Sequence, residues 1–152
     1  MPVFGWFEAE LVPDRDAFVG NARPQVALVG DGWAATYHMQ LIRDASHRRT
    51  VSVAAVDGRY RTRVPILNTT SRPAKVTLVL SSFESGTSRR IEFDCPPEGM
   101  IVPDLDQVFA APSAFDASFF LLAVESDVPT RRYVLNSHAD GTLSLDHFPN
   151  TR

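Results

Sequence analysis

Ala74-Lys75-Val76-Thr77-Leu78-Val79-Leu80-Ser81-Ser82-Phe83 is the stretch on which the fold turns. Val76, Leu78 and Leu80 recur at every second position, with Lys75 and Thr77 among the residues between them. That is the period of a half-buried β-strand, not the 3.6-residue period of a helix. The pattern repeats downstream. In Arg90-Ile91-Glu92-Phe93-Asp94 the two apolar residues share a face opposite the three charges, and Leu143 and Leu145 alternate with Thr142, Ser144 and Asp146. Working outward, strand signals cover residues 4–12, 25–29, 33–42, 50–56, 59–67, 74–83, 89–93, 119–125, 131–135 and 142–148. Gly30-Asp31-Gly32, Asp57-Gly58 and Asp140-Gly141 suit tight hairpins, because glycine accepts positive φ. Ser126-Asp127-Val128-Pro129 reads as a longer hairpin connection. Many short strands with such turn spacing predict an all-β fold, an antiparallel two-sheet sandwich over 1–152, with a jelly-roll or cupin-like barrel as the alternative. Phe7, Phe83, Phe93 and Phe120 are candidates to fill the space between the sheets.

Two places depart from the simple pattern. Pro65 interrupts the run 59–67 and predicts an edge or a bulge. Residues 96–118 form the longest irregular stretch, relieved by one short helix over 103–110 that starts with a proline and two aspartates.

Composition narrows the function classes. No apolar run approaches the roughly 20 residues of a membrane helix, so no membrane span is expected. The N-terminus lacks the basic and apolar regions of a signal peptide. Cys95, the single cysteine, cannot form an internal disulfide. Together these predict a cytoplasmic protein. Net charge is −3, but it is unevenly spread. Residues 43–90 hold ten Arg or Lys against three acids, and residues 91–152 hold ten acids against three arginines. This asymmetry fits either a basic binding face or basic strands paired with acidic ones across the fold.

Candidate chemistry is sparse. His138 and His147 flank a turn together with Asp140 and Asp146, so a hairpin that brought the imidazoles together would make a metal site of a cupin-like enzyme. Their spacing matches no compact metal motif, and no metal or other cofactor is expected. Cys95 lacks a helix N-terminus to activate it, and no nucleophile elbow or glycine-rich phosphate loop is present. The arginines at Arg59, Arg61 and Arg63 say more. On a strand they project from one face at a spacing of roughly 6.6 Å, comparable to that of phosphates along an extended nucleic-acid strand, which suits an anionic ligand or an acidic partner surface, with nucleic acid the less expected partner. Like charges in a row repel, so either such a ligand or a neighbouring strand bearing Asp or Glu must compensate them. Trp33 and Tyr37 could stack on sugar rings, which keeps a carbohydrate-binding sandwich in view.

Val64-Pro65-Ile66-Leu67-Asn68, then Ala74-Lys75-Val76-Thr77-Leu78, then Ser126-Asp127-Val128-Pro129 together resemble the sensory rhodopsin transducer family and related small sandwiches. Gly32-Trp33-Ala34 is similar to that family's early tryptophan strand, and the resemblance covers residues 64–135. It implies a cytoplasmic, non-enzymatic, oligomeric sandwich that acts by binding, as an adaptor in signal transduction, and it carries over no catalytic residue. A homo-oligomer is therefore expected, with part of Phe4-Gly5-Trp6-Phe7 at a subunit contact. Arg59, Arg61 and Arg63 are expected to stay accessible, so that replacing all three leaves the assembly intact.

Overall fold

Val76, Leu78 and Leu80 are fully buried on β6 (Ala74–Ser82), while Lys75 between them is exposed, so the strand displays the period its residues carry. The computed structural model describes residues 25–30, 33–38, 49–56, 59–109, 119–140 and 143–147. Within these, β1 (Gln25–Gly30) and β2 (Trp33–His38) form a separate antiparallel pair. One sheet runs β3 (Thr50–Ala55), β9 (Phe119–Ser126), β6, β7 (Ser88–Cys95). The facing sheet runs β11 (Leu143–His147), β10 (Thr130–His138), β5 (Ile66–Asn68), β8 (Gly99–Ile101), with β4 (Tyr60–Arg63) also paired to β10. Every pairing is antiparallel, and the architecture is an all-β two-sheet sandwich. The expected strand at 4–12 lies outside the described residues.

The core forms because each strand turns one apolar face inward. Ala54, Leu78, Leu80, Phe120, Leu122 and Val124 come from the first sheet, and Val64, Ile66 and Val134 from the second. Full burial of each larger side chain contributes about 1.5–3 kcal/mol. Ile91 and Phe93, opposite Leu78 and Val76, pack against this core. Phe83 does not: it sits past the end of β6 and is 57% exposed, because the chain has already entered the turn to β7.

Pro65 marks neither an edge nor a bulge. Arg63 lies opposite Leu135 and Ile66 opposite Arg132, so no residue is gained or lost across the proline. The same segment has a neighbour on its other side, where Ile66 pairs with Ile101. Pro65 O accepts the Tyr133 N–H at 2.9 Å, but a proline has no N–H to return. The missing bond divides one central strand into β4 and β5. The connection through Ser126-Asp127-Val128-Pro129 is likewise no hairpin, since β9 and β10 belong to different sheets. Val128 is buried there, and Asp127 is anchored by accepting the Lys75 N–H on Oδ1 at 2.7 Å.

Within 96–109 the structure adds β8 and a short helix, α1 (Leu105–Phe109), the latter inside the expected 103–110. Glu98 takes a positive φ of 48°, and a Cβ on Gly99 would stand 2.6 Å from Pro96 Cγ, so glycine is required at the turn into β8. Asn68, fully buried, holds this corner by donating from Nδ2 to Pro96 O at 3.0 Å and to Arg72 O at 2.7 Å.

Cys95 ends β7 in the core, its thiol 3.7 Å from Ile66 O and 3.6 Å from Gly99 O. Burial pushes its pKa up, with backbone hydrogen bonds at Asn68 and Ile101 opposing. The stability linked to a raised thiol pKa is fully present below the unfolded value of 9.0 and is lost as pH climbs through the folded one. Thiol labelling at neutral pH is expected to follow global unfolding; rapid labelling in native buffer would refute this protection.

Candidate anion-binding cleft

The end of the second sheet where β4 begins and β10 finishes is held by one backbone and one side-chain hydrogen bond. Ala139 N–H donates to Arg59 O at 2.8 Å, and Ser137 Oγ donates to Arg61 O at 3.3 Å. Between them Tyr60 lies opposite His138 and Arg61 opposite Ser137. The result is an open cleft of ≈ 370 Å³ lined by Arg59, Tyr60, Arg61, Asp106, Ser137 and His138, with Ala139 at its rim. The Tyr60 and His138 rings meet at 4.7 Å between centroids, tilted by 51°, and Tyr60 also approaches Phe119 at 6.4 Å. His138 Nδ1 lies 2.9 Å from Asp140 Oδ1 and 3.3 Å from the Asp140 backbone nitrogen. The imidazole nitrogen donates to the carboxylate when it carries a proton and accepts the N–H when it does not.

The three arginines divide into two roles. Thr62 between them is fully buried, so Arg61 and Arg63 face away from the core. Arg63 is bridged to Asp104 across the strands, and Asp104 Oδ2 receives both Arg63 Nε at 3.3 Å and Arg61 Nε at 3.0 Å. The Asp104 side chain is only 9% exposed, and its Oδ1 has no hydrogen-bond partner among the described residues. The acidic compensation expected for the stripe is thus supplied by the segment leading into α1. Arg63 is turned toward that carboxylate, Arg61 serves both the carboxylate and the cleft, and Arg59 is exposed at the cleft's mouth. Lys75 opposite Asp94 repeats the theme of basic residues paired to the acidic second half.

The remaining sequence candidates lie on other strands. His147 pairs with Tyr133, five register steps from His138, roughly 16 Å along the ladder. The hairpin register thus sets the two histidines well apart along the ladder. Trp33 pairs with Gly30, and Tyr37 with Val26, on the β1–β2 pair, whose β2 runs beside β11. Among the described residues, no group of three or more His, Cys, Asp or Glu is placed to hold a metal ion, and no helix is long and apolar enough to cross a membrane.

Sequence reasoning missed Tyr60, Ser137, Asp106 and the partnership of Asp104. An acidic helix start some 40 residues beyond an arginine stripe was the available signal, since opposite charges in a small fold tend to meet. It also missed Arg132, which is 2% exposed between the sheets. Arg131 and Arg132 are adjacent on a strand, so one of them had to face inward.

No family model matches the sequence, and no curated protein matches it. Among solved structures, the crystal structure of Thermotoga maritima 1070 superposes with a TM-score of 0.58 at 17% identity, covering 68% of this chain and 94% of that one. The likeness is one of fold.

Proposed function

We propose that this chain is a non-enzymatic binding module that holds an anionic group of a partner in the cleft at Arg59 and Arg61 and works as a homo-oligomer. The observation that carries the reading is the cleft itself. It is lined by Arg59 and Arg61, with a wall made by Tyr60 tilted against His138. Guanidinium groups bind carboxylate and phosphate oxygens in paired hydrogen bonds, and an aromatic wall shields such contacts from water. The Ser137 hydroxyl already donates to Arg61 O and His138 Nδ1 faces Asp140, a commitment of both groups that favours capture over turnover in this reading. The resemblance to the sensory rhodopsin transducer family supports an adaptor role in signal transduction and a homo-oligomer.

Heparin serves as a probe anion. The wild type is expected to be retained on heparin resin and released by salt, with a linear fall of log affinity against log salt. Arg59 is exposed, so Arg59→Gln should reduce that slope by about one charge and change stability by no more than about 1 kcal/mol. A wild type that is not retained, or an Arg59→Gln protein with an unchanged slope, sinks the assignment.

A further inference from the structure

The first sheet has two edges of opposite character. β7 carries Arg89, Arg90, Glu92 and Asp94, the charges that keep an edge strand from pairing with another chain. β3, Thr50-Val51-Ser52-Val53-Ala54-Ala55, carries none. Its inward residues Thr50 and Ala54 are buried, while Val53 on the outer face is 51% exposed. Phe119, opposite Ala55 on β9, is 55% exposed, and Leu121, opposite Val53, lies beside it. The outer face at this edge is an apolar strip made by β3 and β9.

The backbone says which groups point outward. Ala55 N–H donates to the Thr62 hydroxyl at 3.1 Å, and that hydroxyl donates back to Ala55 O at 2.8 Å. Thr62 is on the facing sheet, so Ala55 directs its backbone away from β9. Backbone groups alternate along a strand, so Val51 and Val53 direct theirs to the same open side. Thr62 caps Ala55, and among the described residues no hydrogen bond closes Val51 or Val53 on that side.

We propose that a second copy of this chain pairs with β3 across a two-fold axis at Ser52, joining the two four-stranded sheets edge to edge. This deepens the homo-oligomer half of the function proposed above and rests on it. In this register Val51 of each copy lies opposite Val53 of the other, and Ser52 lies opposite Ser52. Val51 and Val53 sit in hydrogen-bonded pairs, so four backbone hydrogen bonds form from the groups left open, and Ala55 keeps its Thr62 cap. Both outer faces stay on the same side, and two valines from each copy make one cluster next to Leu121 and Phe119. The paired segment has no charge, so no charge meets a like charge. The same pairing through β7 would set arginines and acids on each copy in competition with their existing partners, including Arg90 with Glu92.

Two variants of the full chain test the contact. Ser52→Cys places thiols in a non-hydrogen-bonded antiparallel pair, with Cα atoms about 4.5 Å apart, within reach of a disulfide. Under diamide, which takes two electrons and two protons from the thiol pair, Ser52→Cys should become a covalent dimer, and Ser88→Cys on β7 should not. Val53→Lys puts a charge on the pairing edge at an exposed position, and should convert the species of even chain number seen by light scattering to monomer with an unchanged circular-dichroism melt. An oligomer that survives Val53→Lys, together with a Ser52→Cys protein that stays uncoupled, overturns this interface and leaves the homo-oligomer reading standing. A monomeric wild type overturns both. Heparin retention through Arg59 is independent of either result.

Discussion

Arg132→Ala is expected to lower stability by about 3–5 kcal/mol, the largest effect of any substitution considered for this chain. The guanidinium is 2% exposed and spans the gap between the sheets. Nε donates to Thr130 Oγ1 at 2.9 Å, Nη1 to Thr50 Oγ1 at 2.9 Å and to Val124 O at 2.6 Å, and Nη2 to Ser126 Oγ at 2.8 Å. It therefore ties β10 of one sheet to β3 and β9 of the other. Truncation removes those bonds and leaves a cavity of nearly a whole arginine side chain, and each loss is costly in a packed interior. For a domain of this size the melting temperature should fall by on the order of 10 °C. A chemical denaturation curve gives the value directly, and a loss under about 1 kcal/mol would mean that the sheets are held without this strut.

These four acceptors are neutral oxygens, so they offset the burial of the cation only in part. Burial lowers the Arg132 pKa to about 10, with the charge of Glu125 opposing that fall. The unfolded chain binds the proton more tightly above that value, so this group's linked contribution rises with pH only in the window between the folded pKa and the higher unfolded one. At neutral pH the guanidinium is charged in both states, and its desolvation works against folding. The bonds to Arg132 are thus partly spent on keeping a cation in the core. After truncation, Ser126 and Thr130, 3.0 Å apart, can bond each other, and Thr50 can bond Val124 O. Most of the expected loss is then cavity rather than orphaned hydroxyls. Arg132→Met, which refills the space, should recover about half of it.

Most strands were legible because each carries a local pattern of its own. Residues 74–83 and 89–93 alternate plainly, and 119–125 is a short apolar run of strand length, so their observed bounds differ from the expected ones by a residue or two. β8 was not legible, since three residues between a double proline and another proline have no room for a pattern. Its existence depends on the Asn68 corner and on Gly99 fitting against Pro96, both tertiary facts. The inter-sheet passage at 126–129 looked like a hairpin because turn residues specify a reversal, not which sheet receives the next strand. The site was half legible for a related reason. Alternation places Arg59, Arg61 and Arg63 on one face, but only the crossing of the chain into α1 decides that Asp104 meets two of them.

That meeting changes what a test of the stripe can show. Arg61→Gln with Arg63→Gln removes both cations from Asp104 Oδ2 while the carboxylate stays 9% exposed, with Oδ1 already without a hydrogen-bond partner among the described residues. A buried carboxylate without a counter-charge is destabilising by several kcal/mol when fully enclosed. Arg61 is 44% exposed, so solvent already screens part of its contribution, and glutamine amides can still donate one hydrogen bond each. The expected loss is about 2 kcal/mol for the pair. Each single variant should lose well under half of that, because the other arginine remains on the same oxygen. Replacing all three arginines together therefore mixes a folding effect with a binding one, against the expectation that the stripe can be exchanged freely. Adding Asp104→Asn to the double variant separates them. The amide removes the buried charge, so stability should return to within about 1 kcal/mol of the wild type while heparin retention stays weak. A triple variant of Arg61, Arg63 and Asp104 that remains as unstable as the double one would show that the arginines act through packing of their stems rather than through the carboxylate.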